Sequence, residues 1–357
     1  MSDVRELKVG LIGFGLAGSS FHAPLIDAAS TLTLAAIVTS NPERAAQAKQ
    51  QYPDARIHAS PDELWQNASA LDLIVIASPN SSHKPLAMAA MKAGLPVVVD
   101  KPLCASAEDG RELIAESKRS GVMLSVFQNR RWDGDFLTLQ RLITSGELGE
   151  IRRFESRFER WRPEPKPGWR QSGGTEDAGG VLYDLGAHLI DQALVLFGPV
   201  EHVYAELDQR YPNAEVDDDS FIALTHRNGV RSQLWMSSVA AHSGPRIRAL
   251  GSKAAFVSHS LDGQEAALRS GNRPDKPDWL KAIKGEDGVQ VAGDDKQPVA
   301  LESGAYIDFY EAIGAAIQKG TTGPVDPADA VAGLEIVAAA KRSSELGQVV
   351  SPGPSRN

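Results

Sequence analysis

Between residues 8 and 127 the chain repeats short runs that are apolar almost end to end, at 8–12, 32–38, 72–77, 95–99 and 122–127. A strand covered by helices on both faces loses the in-out alternation of a half-exposed strand and becomes uniformly aliphatic. The segments between these runs carry helix punctuation. Asn41-Pro42 offers a cap followed by proline at the first helical position, and Ser60-Pro61-Asp62-Glu63 is a capping box. Ser106 opens a run of good helix formers over 107–118 that stops at Gly121. Buried strands alternating with helices in this way point to a doubly wound parallel sheet.

After residue 128 the rhythm changes. A helix is expected over 136–144, and strands such as 151–160 become longer and alternate. Asn228-Gly229 between 220–226 and 230–238 is a hairpin signal. Helical patterns over 305–319 and 327–345 close the chain. Residues 262–298, rich in Gly, Asp, Lys and Pro, read as an irregular excursion. The expected fold class is α/β. A dinucleotide-binding domain over 1–128 precedes an α+β domain over 129–357 built on a mostly antiparallel, open-faced sheet, and 357 residues suffice for two cores.

Composition narrows the function. Thirty-seven Lys and Arg against 46 Asp and Glu give a net charge of −9, which argues against nucleic-acid and anionic-membrane partners. The apolar runs are too short to span a bilayer, and Met-Ser-Asp-Val-Arg-Glu-Leu-Lys has no apolar signal core behind it. The single cysteine, Cys104, permits no internal disulfide and no cysteine metal cluster. The expectation is a cytoplasmic enzyme.

Gly13-Phe14-Gly15-Leu16-Ala17-Gly18 follows the first apolar run and opens the first helix. In that setting Gly13 makes the turn, Gly15 admits a pyrophosphate to the backbone and Gly18 allows close helix–sheet packing. The end of the second run, Val38-Thr39-Ser40-Asn41-Pro42-Glu43-Arg44, lacks the acid that usually holds the adenosine ribose of NAD. A 2′-phosphate would meet Thr39, Ser40 and Arg44 instead, so NADP(H) is favoured over NAD(H).

Ser78-Pro79-Asn80-Ser81-Ser82-His83 and Asp100-Lys101-Pro102 fall at strand ends, on the edge of such a sheet that faces ligand. In the second half, Asp184, His188 and Asp191 are spaced to fall within an arc of about 60° on one helix face. Gly179-Gly180 before that helix and Gly186 within it are costly unless something approaches closely. A metal is not expected, because no second histidine stands nearby. Arg131, in Gln128-Asn129-Arg130-Arg131-Trp132, and Trp169-Arg170 are candidates for contact with a polyhydroxylated ring.

Taken together, Gly13-x-Gly15-x-x-Gly18, Pro79-Asn80-x-x-His83, Asp100-Lys101-Pro102 and Asp184-x-Gly186-x-His188 resemble the Gfo/Idh/MocA oxidoreductases along nearly the whole chain. Phe21-His22-Ala23-Pro24-Leu25 and Thr39-Ser40 resemble the branch containing NADP-dependent scyllo-inositol dehydrogenase. Asp100 departs from the glutamate of many members. The resemblance implies a Rossmann domain, and hydride transfer between NADP(H) and a secondary hydroxyl or ketone of a cyclitol or sugar. It implies that Lys101 contacts nicotinamide and the reacting hydroxyl, that Asp184 holds substrate and that His188 is the acid/base. Phe14, Leu16, Ala17, Ser78, Pro79, Asn80 and His83 would lie along the cofactor. It also implies a homodimer or homotetramer joined through the open sheet face. An aldose or keto-sugar dehydrogenase, and a non-catalytic cofactor-bound sugar sensor, are the competing readings; an intact Lys101, Asp184 and His188 set favours catalysis.

Overall fold

The computed structural model describes residues 5–165 and 178–353. Among these, β1 (Leu7–Ile12), β2 (Leu32–Val38), β3 (Arg56–His58), β4 (Leu73–Ile76), β5 (Val97–Asp100) and β6 (Leu124–Phe127) form a wholly parallel sheet in the order β3-β2-β1-β4-β5-β6. The order reverses between β1 and β4, and a crevice opens beyond the strand ends at that point. The connecting helices are α1 (Ala23–Ala28), α2 (Pro42–Gln51), α3 (Pro61–Trp65), α4 (His83–Lys92) and α5 (Ala107–Ser120). Their ends follow local chemistry. The Arg44 N–H donates to the Asn41 side chain, the Glu63 N–H to Ser60 and the Asp109 N–H to Ser106. Gly121, at φ 69°, ends α5 in the left-handed region.

The rest of the chain runs α6 (Gly134–Thr144), β7 (Ile151–Glu159), α7 (Ala187–Phe197), β8 (Val200–Asp208), β9 (Asp219–His226), β10 (Arg231–Ser237), β11 (Ile247–Gly251), β12 (Ala255–Ser258), α8 (Gln264–Arg269), α9 (Trp279–Ile283), β13 (Gly288–Ala292), β14 (Asp295–Val299), α10 (Tyr306–Lys319) and α11 (Pro327–Leu346). Its strands pair in the order β14-β13-β12-β11-β7-β10-β9-β8, antiparallel throughout except for the β7–β10 pair. On β9, Ser220, Ile222 and Leu224 are buried while Phe221, Ala223 and Thr225 are partly exposed, so one sheet face is core and the other faces outward. Residues 262–298 are not irregular: they hold α8, α9, β13 and most of β14. The hairpin extends the sheet edge with exposed polar residues such as Lys296, and so lacks the apolar rhythm that marks a strand.

The last two helices return to the first sheet. α10 packs on α1 and comes so close to the turn before β2 that a Cβ on Gly314 would lie 2.2 Å from Thr31 Oγ1. α11 packs against α5, α7 and β8, and the Ser125 hydroxyl donates to Val325 O at 2.8 Å. Val331, Leu334, Ile336 and Val337 of α11 are buried, each contributing about 1.5–3 kcal/mol.

Candidate active site

The glycine loop sits at the reversal of strand order. Gly13 has φ 102°, and a Cβ there would lie 2.5 Å from Ala77 O on β4's side of the crevice. A Cβ on Gly18 would lie 2.0 Å from Gly13 O, so the helix can start this close to the strand only with glycine. Gly15 is different: a Cβ there would meet just one neighbour within 4 Å, Arg44 Nη1 at 3.7 Å. The loop is therefore open above Gly15, with the Arg44 guanidinium beside it. Exposed Ser40 and half-buried Thr39 follow β2, and the Thr39 N–H donates to His58 O. Phe14 points into the core against Tyr52, ring centroids 6.2 Å apart, so of this residue only the backbone faces the crevice side. Leu16 and Ala17 line a cleft of about 450 Å³ that reaches the second half of the chain. This cradle fits the pyrophosphate of a dinucleotide.

Asp100 and Lys101, at the end of β5, form the floor of the same cleft, and the Lys101–Pro102 bond is cis. Lys101 Nζ donates to Asp184 O at 2.5 Å and lies 3.4 Å from Asp184 Oδ1. Asp184 stands in a π-wound turn, Leu182–Gly186, that leads into α7; such turns recur at functional sites. The glycines around it have close neighbours. A Cβ on Gly180 would lie 2.0 Å from Asp217 Oδ1, and one on Gly186 would lie 2.7 Å from Met236 Sδ. Asp217, which the sequence reading did not single out, caps this turn: its Oδ2 accepts the Leu182 N–H at 2.7 Å and the Ser220 hydroxyl at 2.8 Å.

His188 lines the cleft and is buried, and its Nδ1 has no hydrogen-bond partner among the described residues. Burial first, then the positive charges of Lys101, Arg130, Arg246 and Arg160, hold its pKa well below the ordinary 6.5. The ring is neutral at physiological pH. Arg130 and Arg160 belong to the site and were also missed: both guanidiniums flank the Phe158 ring, at 4.5 and 4.7 Å from its centroid.

Other candidates are placed elsewhere. Asp191 does not share the cleft with Asp184 and His188; its carboxylate is gripped by Arg131, with Nη2 and Nε at 2.6 and 2.8 Å. Arg131 also bonds Asp329 at 3.0 Å, and its buried neighbour Arg130 is the one that faces the cleft. A substrate role for Arg131 has no support in this geometry. His83 is buried, with Nδ1 2.8 Å from Pro102 O and Nε2 2.9 Å from Ser78 O. It ties the loops after β4 and β5 together rather than lying along the cleft. Ser78 and Ser82 hydroxyls are 2.6 Å apart, and Pro79 and buried Asn80 form the short helical turn before α4. Trp169 and Arg170 lie outside the described residues.

Family models match both parts of the chain. Residues 7–128 fit the GFO/IDH/MocA oxidoreductase family, NAD-binding Rossmann fold, and residues 136–257 fit the GFO/IDH/MocA C-terminal domain. The chain belongs to the Gfo/Idh/MocA family. Among relatives of this Gfo/Idh/MocA protein, scyllo-inositol 2-dehydrogenase (NADP(+)) IolW of Bacillus subtilis strain 168 is 36% identical, over 96% of this chain and 95% of its own length. The uncharacterized oxidoreductase YdgJ of Escherichia coli K12 is 39% identical, over 94% and 95%. The solved structure of the oxidoreductase yvaA from Bacillus subtilis superposes with a TM-score of 0.91 at 34% identity, covering 99% of this chain and all of the other. This Gfo/Idh/MocA chain is an NAD(P)-dependent dehydrogenase. No helix among its described residues is long and apolar enough to cross a membrane.

Proposed function

We propose that this chain moves a hydride between NADP(H) and a secondary hydroxyl or ketone of a cyclitol or sugar. The observation that carries the reading is the meeting of Lys101 with Asp184, 2.5 and 3.4 Å from two of its oxygens, beside neutral His188 in the cleft that the glycine loop enters. Residues 13–18 would hold the pyrophosphate, and the nicotinamide supplies the hydride chemistry when bound. Asp184 accepts a hydrogen bond from a substrate hydroxyl and orients the ring. His188 takes the hydroxyl proton; it is already in the form that accepts one. The Lys101 ammonium stabilises negative charge on the oxygen that loses it.

The preference for NADP(H) is supported by Arg44. Its guanidinium stands beside Gly15; Thr39 and Ser40 follow β2 a few residues before it in the chain, and no acid stands at the end of β2 to repel a 2′-phosphate. The name and coverage of IolW support a cyclitol as substrate. The chain is proposed to divide at residue 128 and to act in the cytoplasm; its one cysteine, buried Cys104, suits a reducing compartment. A homodimer or homotetramer would cover the outward sheet face, where the Phe221 and Trp235 rings pack tilted at 5.0 Å and Arg157 lies 4.0 Å over the Trp235 ring. A screen of inositol isomers, aldoses and polyols for NADP reduction tests the substrate class. Turnover confined to NAD, or to none of these alcohols, overturns the reading. A light-scattering mass near 38.2 kDa would remove the oligomer.

A further inference from the structure

Behind Lys101 lies a line of buried polar groups drawn from three distant parts of the chain. Tyr310, on α10, is fully enclosed, and its hydroxyl is 2.5 Å from Nδ1 of His22, which is also fully enclosed. His22 Nε2 faces Asp100 Oδ1 at 3.5 Å. That same Oδ1 accepts the Lys101 backbone N–H at 2.9 Å. Phe127 packs against the His22 ring at 4.5 Å and against Tyr310 at 5.7 Å, so the Tyr310–His22 end is closed from solvent while Asp100 opens onto the cleft.

We infer that Tyr310 and His22 are positioning residues that act through the Asp100 carboxylate to fix Lys101 at the cleft floor. The inference rests on the role given to Lys101 above. The protons can be placed by elimination. Burial, with Asp100 nearby, holds the Tyr310 phenol well above its ordinary value, so it keeps its proton and donates it to Nδ1. With the phenol as donor to Nδ1, Nε2 is the nitrogen left to carry the imidazole proton toward Asp100 Oδ1, 3.5 Å away and beyond direct hydrogen-bonding geometry. Burial pushes the Asp100 carboxyl up, but His22, Lys101 and His83 outweigh it and leave it below the usual carboxylate value. The ionisable groups that face Asp100 are His22 from the first helix, His83 from α4 and Lys101 beside it, with Tyr310 of α10 one step behind. The fixed carboxylate clamps the Lys101 backbone, and from there the side chain spans to Asp184.

Removing only the hydroxyl, with Tyr310→Phe, frees the imidazole proton to move to Nδ1, which turns a lone pair toward Asp100. The expected result is a fall in kcat of roughly tenfold to a hundredfold with little change in KM. The more acidic limb of the kcat profile, set by Asp100, should move to higher pH, because the imidazole then turns a lone pair instead of an N–H toward the carboxylate; a packing defect would lower the whole profile without moving that limb. Asp100→Asn should reduce kcat similarly, and adding Tyr310→Phe to it should cost nothing more, whereas Asp100→Glu should keep most of the activity. Nitrogen NMR of His22 in the unliganded wild type should show the Nε2–H tautomer, and in Tyr310→Phe a mixture. An Nδ1–H tautomer in the wild type, an unmoved acid limb, or additive losses in the double variant would each overturn the inference. A wild type that oxidises no polyol overturns the proposed reaction, and the NMR result then decides the proton line on its own.

Discussion

Replacing His188 by alanine separates chemistry from folding with unusual clarity, because two effects on stability oppose each other. The imidazole is buried and its Nδ1 lacks a partner among the described residues, a defect that costs about 1–3 kcal/mol. Removing the ring relieves that penalty but forfeits packing worth about 2 kcal/mol or more. The net change should stay within about 2 kcal/mol, so the variant folds. Turnover has no such compensation. Loss of a positioned general base lowers kcat by roughly 10²–10⁴, or about 3–5 kcal/mol of barrier. Cofactor affinity, measured by fluorescence titration with NADPH, should be nearly unchanged. The pH profile is a second readout. Because burial and four neighbouring cations depress the His188 pKa, its base form accumulates as pH rises through a value well below 6.5. In the wild type kcat/KM for oxidation should therefore rise at acid pH and be level before neutrality, and in the variant the His188 inflection should vanish, leaving only the more acidic limb set by Asp100. Near-wild-type kcat with an unchanged profile would refute the assignment. Tyr183 could not take over from where it is, since its hydroxyl donates to Ala105 O, which leaves Lys101 as the next candidate.

Arg44→Ala should lower the kcat/KM ratio of NADP to NAD by roughly 10- to 100-fold, the loss of one charged hydrogen bond, and Ser40→Asp should shift it the same way; a ratio unmoved in both variants sinks the 2′-phosphate site. Asp191→Ala takes away the bidentate partner of half-buried Arg131, leaving it only Asp329, and should cost about 1–3 kcal/mol in urea denaturation. Its substrate KM should hold near the wild-type value, and a selective rise in KM would return Arg131 to the substrate site. Gly18→Ala puts a methyl 2.0 Å from a backbone oxygen that cannot move aside. Equilibrium dialysis should show NADPH binding lost or severely weakened, and wild-type affinity would show that the loop does not hold the dinucleotide.

Legibility followed burial. β1, β2 and β4–β6 announced themselves because helices cover both faces, which forces aliphatic residues at successive positions. β3, three residues at the sheet edge reading Arg-Ile-His, carries no such constraint and was invisible. The same holds for β13 and β14, whose exposed residues leave pairing to the backbone. In the site, glycines and the Asp100-Lys101-Pro102 turn could be read because backbone geometry restricts which residues fit. Choosing between Arg130 and Arg131 was different. They are neighbours in one 3-10 turn, Asn129–Trp132, so their side chains diverge, and which of them enters the cleft depends on Asp191 and Asp329 from distant helices. Asp191 failed for the same reason: helical spacing gives a direction, and a partner of opposite charge decided what lay there.

The return of α10 and α11 to the first sheet sets an order on events at the ribosome. Domains made first usually close first, but here the parallel sheet emerges long before the helices that seal it. Until residues 306–346 leave the exit tunnel, the α5 surface beside Gly110 has no Val331 against it, and the Ser125 hydroxyl has no Val325 carbonyl to meet. The His22 ring likewise waits for Tyr310. For most of its synthesis the nascent nucleotide half presents open apolar surface, the kind of aggregation-prone intermediate that chaperones exist to shield. Loss of even the last forty or so residues, by a premature stop or by proteolysis, would strike the half of the molecule encoded first.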